Sequence, residues 1–116
     1  MRALKWCRLT ANFSHGCPHS SILALAKFKP GTSEQAIRDF FESISKLREV
    51  TPGILDYSWG ANNSPEGLGQ GFTHAFVMTF KDAAARDAYL PHPAHEKVKQ
   101  LVLPHVESVI VFDYEA

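Results

Sequence analysis

At 116 residues, 45% of them hydrophobic, the chain has the length of one domain and enough apolar side chains to fill one core. Twelve basic and twelve acidic side chains cancel. No overall field therefore draws the protein to nucleic acid or an anionic membrane, which leaves small neutral ligands or other protein chains as partners.

Residues 1–19 are read as an N-terminal extension and residues 20–116 as the domain. The extension holds Arg2, Lys5 and Arg8 and no acid, since the first carboxylate of the chain is Glu34. It is short, poorly amphipathic and lacks the continuous apolar core of a secretory signal, and nowhere does the chain reach the roughly 20 apolar residues of a membrane span. A cytoplasmic location is expected, with mitochondrial import the minor alternative. Both cysteines, Cys7 and Cys17, lie in the extension, and Cys17 stands between His15 and His19. A structural zinc site needs a second closely spaced ligand pair, which the sequence lacks, so no metal is expected.

Ser20–Lys29 is a short apolar run stopped by Pro30-Gly31 and predicts a first strand. Thr32-Ser-Glu-Gln35 predicts a capping box with Thr32 as the cap. The helix that follows carries Ile37, Phe40, Phe41, Ile44 and Leu47 at spacings of three and four, one stripe to be buried, and ends near Val50. Ile54–Gly60 predicts a second strand, the segment from Asn62 to Gly71 a turn-rich connection, and Phe72–Phe80 a third strand. Gly67, Gly69 and Gly71 lead into that strand rather than into a helix, which argues against a phosphate loop. Asp82 predicts the cap of a helix running to Leu90, Pro93 the start of another carrying Val98, Leu101 and Val102, and Ser108–Tyr114 a fourth strand. The order β-α-β-β-α-β is the ferredoxin-like arrangement of the α+β class, an antiparallel four-stranded sheet with helices on one face.

The strands are apolar on both faces. Phe72, His74, Phe76, Met78 and Phe80 alternate with Thr73, Ala75, Val77 and Thr79; Ile110, Phe112 and Tyr114 alternate with Val109 and Val111. Helices can cover one face, so the other calls for a second surface, most simply the same face of a second copy. A homodimer is expected.

Four segments, Ala26–Gly31, Gly71–Phe76, Asp87–His95 and Val109–Tyr114, occur in an order that resembles the stress-responsive A/B barrel family, also called Dabb, over about residues 20–115. The resemblance implies a dimeric α+β barrel. It leaves the chemistry open, since the family includes plant stress proteins without an assigned reaction and a plant polyketide cyclase that closes an aromatic ring by aldol condensation. By resemblance to that cyclase, the catalytic tyrosine falls on Tyr89 and the catalytic histidine on His95, and His74 falls on a third-strand histidine. A histidine common early in the family's first strand falls on Ile22, a departure from the pattern.

Aldol cyclisation needs a base to take a proton from between two carbonyls and a donor for the enolate oxygen, roles that histidine and tyrosine suit. If Pro93 opens a helix, His95 sits in its first turn, where the helix dipole favours the neutral imidazole that a base requires. The alternative is structural, with His95 packed at a helix start and Tyr89 closing a core corner. His92 is expected to precede or cap that helix and point to solvent. His74, with Phe76, Met78 and Phe28, forms the candidate ligand-binding set; a histidine among such side chains is either a satisfied core residue or the polar point of a ligand cavity. Phe40 and Phe41 belong to the buried stripe, and Asp113 is read as an acid at the solvent-exposed rim.

These features describe a dimeric barrel enclosing a small apolar ligand, with no cofactor. The alternatives are a cyclase-like enzyme acting on a polyketide-like ligand, a cofactor-free monooxygenase, which the fold's resemblance to such barrels admits, and a structural protein with a filled core.

Overall fold

The computed structural model describes residues 18–116. The expectations for Cys7, His15, Cys17 and the body of the extension lie outside the described residues.

Strand β1 is Ser20–Phe28, helix α1 Glu34–Ser45, strand β2 Ile54–Ala61 and strand β3 His74–Phe80. Helices α2, Ala83–Tyr89, and α3, Pro93–Val102, precede strand β4, Val106–Glu115. Short 3-10 turns, Lys46–Glu49 and Leu103–His105, follow α1 and α3. The sheet has the order β2-β3-β1-β4, and β1 pairs antiparallel with both β3 and β4. The expected α+β, ferredoxin-like sheet is therefore present, with the helical connections on one face.

The local chemistry departs from the expected pattern at the first cap. Ser33, not Thr32, caps α1, its Oγ accepting from the Ala36 amide at 3.1 Å. Thr32 Oγ1 instead donates to the Lys29 carbonyl at 2.7 Å, closing the Pro30-Gly31 turn, and Gln35 donates to Asp39. The third strand begins at His74 rather than Phe72, because the chain is still turning at Gln70 and Gly71, both at positive φ. Asp82 caps α2 by accepting from the Ala85 amide at 2.8 Å, as its position predicted.

The core lies between the sheet and the helices. Ile37, Phe41, Ile44 and Leu47 of α1 meet Ile22, Met78 and Phe80 of the sheet, with Ala85 and Tyr89 of α2 closing one end. Phe80 and Met78 are fully buried, each such side chain contributing about 1.5–3 kcal/mol of transfer free energy. Tyr57 fastens β2 to α1, its hydroxyl donating to the Phe41 carbonyl at 3.0 Å. Gly53 leads into β2 at φ +95°, and a Cβ placed there would stand 2.6 Å from that of Ala85, so only glycine lets this turn approach α2 so closely.

Among the described residues, no helix covers the opposite face. Cross-strand pairing aligns Phe112, Leu23, Val77 and Ser58 in one row and Ile110, Leu25, Ala75 and Gly60 in the next. This face is apolar towards β4 and more polar towards β2. Phe112 is 58% exposed, and Ile110 and Tyr114 are also open.

Candidate functional site

A cavity of about 300 Å³ lies between the sheet and the helices. Ile22, Ala24 and Phe28 of β1 form its floor together with Phe76, and Val109 and Val111 of β4 form one side. Phe40, Phe41 and Ile44 of α1 face Val98 and Val102 of α3 across it. Tyr89 and His95 complete the wall. This volume falls at the lower end of the range for small-molecule sites, and such sites combine apolar walls with a few polar points in the same way.

The segment between α2 and α3 brings the two polar residues together. Leu90 ends α2, Pro93 opens α3 as its first residue, and His92 caps it, Nδ1 accepting from the Ala94 amide at 3.0 Å. His95 thus lies in the first turn of α3, its ring 4.3 Å from that of Tyr89 between centroids, at 31°. His95 Nδ1 is 2.9 Å from the Leu90 carbonyl oxygen. A carbonyl can only accept, so Nδ1 carries the proton and Nε2 holds the lone pair of the neutral ring. Tyr89 is nearly fully buried, and burial raises its pKa above the ordinary tyrosine range. Its hydroxyl stays protonated, a donor at neutral pH. The arrangement places a phenol and an imidazole side by side at the wall of an apolar cavity.

Of the remaining candidates, Phe28 and Phe76 line the cavity, whereas Met78 is sealed beneath the core and His74 lies apart from it. His74 is buried in an aromatic stack, edge-on to Phe28 at 5.6 Å and near-parallel to Phe41 at 5.9 Å, with Nδ1 2.8 Å from the Thr73 hydroxyl. Phe40 and Phe41 are buried in the α1 stripe and at the cavity wall at once. Asp113, expected free at the rim, is engaged by Arg86 at 2.8 Å. Ile22 keeps the cavity floor apolar at its position on β1. Val98 and Val102, read in the sequence only as apolar positions of the helix, line the cavity, and Lys99, which sequence reasoning missed, also reaches its wall.

Comparison with known proteins agrees with this architecture. The chain is 34% identical over 91 residues to the stress-response A/B barrel domain-containing protein HS1 of Arabidopsis thaliana, covering 78% of this chain and 84% of that protein. Identity to olivetolic acid cyclase of Cannabis sativa is 28% over 92 residues, 79% of this chain and 91% of the cyclase. The crystal structure of At3g17210 from Arabidopsis thaliana superposes with a TM-score of 0.80 at 32% identity, over 84% of this chain and 94% of that one. A dimeric ferredoxin-like protein of unknown function from Jannaschia gives 0.76 at 22% identity, over 84% and 99%. Residues 23–116 match the family described as the Stress responsive A/B Barrel Domain, and the chain belongs to that family.

Proposed function

We propose that the chain acts as a homodimeric barrel whose subunits each bind a small apolar ligand in the cavity between the sheet and α1, α2 and α3. The observation that carries this reading is the cavity itself, an apolar recess open beside Val109 and Val111, with Tyr89 and His95 at its wall. The helix-free sheet face, with Phe112 and Ile110 exposed, supports the dimer, as does the dimeric state of the Jannaschia protein. Binding is tested with the neutral fluorophore N-phenyl-1-naphthylamine. Ala24→Leu, which builds a larger side chain from the cavity floor, is expected to lower its affinity at least tenfold. Unchanged affinity in a folded variant removes the cavity as the binding site.

A second reading is favoured by the contact between the Tyr89 and His95 rings. Here His95 Nε2 takes a proton from a carbon between two carbonyls while the Tyr89 hydroxyl donates to the enolate oxygen. The enolate carbon then attacks a distal carbonyl of the same chain, forming the ring bond, and the resulting alkoxide takes the proton back from the His95 imidazolium. The cyclase among the relatives makes a linear poly-β-keto chain the substrate to test. His95→Ala is expected to abolish its cyclisation with the dimer intact, and unchanged turnover removes His95 from the mechanism.

A further inference from the structure

We infer that Lys99 makes the cavity selective for an apolar molecule that ends in a carboxylate. The inference rests on the reading of the cavity as a ligand site and adds the chemical class of the ligand.

Lys99 follows His95 by four residues on α3, so the two side chains share a helix face, roughly 6 Å apart along the axis. Both stand at the cavity wall. Among the described residues forming that wall, Lys99 is the one lysine, and no arginine, aspartate or glutamate joins it. Its neighbours on the wall, Val98 and Val102, are apolar. A lysine in this setting lays its methylenes along the apolar surface and keeps its ammonium at the solvent-exposed mouth of the cavity. The side chain is 42% exposed, in accord with that posture.

Among the described residues the ammonium has one carboxylate partner, Glu96 Oε1 at 3.0 Å, itself about half exposed. An exposed pair of this spacing on one helix is weak and does not hold Lys99 against a competing anion. An ammonium carries three donors and accommodates a second carboxylate beside Glu96. A ligand whose body fills the cavity brings that carboxylate to the mouth, where burial of its chain supplies the affinity and Lys99 sets the direction. The acid group then sits about one helical turn from His95, which fixes which carbon of the ligand meets the imidazole.

The cavity holds the volume of roughly ten waters at ~30 Å³ each, which matches octanoate, with about ten non-hydrogen atoms. Calorimetric titration of octanoate and of its uncharged counterpart methyl octanoate into the full chain tests the inference. Octanoate is expected to bind at least tenfold tighter, with an affinity that falls as salt is raised. Lys99→Met is expected to bring octanoate down to the affinity of the ester and to leave the ester within twofold. Equal binding of acid and ester to the unsubstituted chain overturns the role of Lys99 and leaves the cavity standing, as does a preference for the acid that survives Lys99→Met. Failure of both ligands to bind overturns the cavity reading and the carboxylate preference together.

Discussion

Arg86 Nη1 donates to Asp113 Oδ2 across 2.8 Å, tying α2 to the edge strand β4. Asp113 faces Ile22 in the ladder, so the ion pair closes the sheet-helix layer next to the cavity floor. The guanidinium is held charged first by its hydrogen bond to Asp87 and then by Asp113. Arg86→Met leaves Asp113 without its counter-charge, and since both side chains of the pair are under a third exposed, a loss of about 1–2 kcal/mol is expected. The urea midpoint of the variant measures it. Adding Asp113→Asn is expected to recover part of the loss, and an unshifted midpoint in the single variant would show the pair to be idle.

His74 sits in the aromatic stack rather than at the cavity. His74→Phe keeps volume and apolar contact and costs under about 1.5 kcal/mol. Binding of the neutral fluorophore is expected to stay within twofold. A loss of tenfold or more in a variant of unchanged fold would bring His74 back into the ligand's surroundings.

Alkaline pH acts through the buried tyrosines. Burial raises the pKa of both Tyr57 and Tyr89 above the ordinary value of 10.0, the charges of Tyr89 and Glu42 adding to the effect on Tyr57. Above that value the unfolded chain gives up protons that the folded chain keeps, so stability falls as pH rises. Each tyrosine contributes a slope of up to about 1.4 kcal/mol per pH unit. Denaturation between pH 9 and pH 12 reads this slope, and Tyr89→Phe is expected to remove one tyrosine's share. The same slope in wild type and variant would refute the assignment.

The bare sheet face carries the proposed dimer. Phe112→Glu places a charge in the middle of its apolar half, and burial of an unpaired carboxylate there costs several kcal/mol. Sedimentation is expected to show a folded monomer. A dimer of undiminished strength would move the interface elsewhere.

How far the sequence was legible follows from what periodicity encodes. Spacings of three and four assigned Ile37, Phe40, Phe41 and Ile44 to one stripe, and all four are buried. Alternation likewise assigned Phe76 and Met78 to one face of β3, but a face is not a depth. Met78 is sealed under the core while Phe76 opens onto the cavity, a distinction set by where α1 and α3 part. The pairing of His95 with Tyr89 came from resemblance, and its Leu90 carbonyl partner had no signal in the sequence because a backbone group carries none. The shift of the cap from Thr32 to Ser33 is a choice between two equally competent hydroxyls, decided by the neighbouring turn that occupies Thr32.

Gly53 contributes no atom to the cavity wall, yet it sets the distance at which α2 rests on the entry to β2, with Ala85 as the opposing surface. Tyr89 lies four residues beyond Ala85 on the same short helix. A side chain at position 53 would wedge that helix outwards and carry the phenol away from the imidazole of His95. The missing methyl group is thus a gauge block for the site, and the gap between its two polar groups is calibrated at a turn that neither of them occupies.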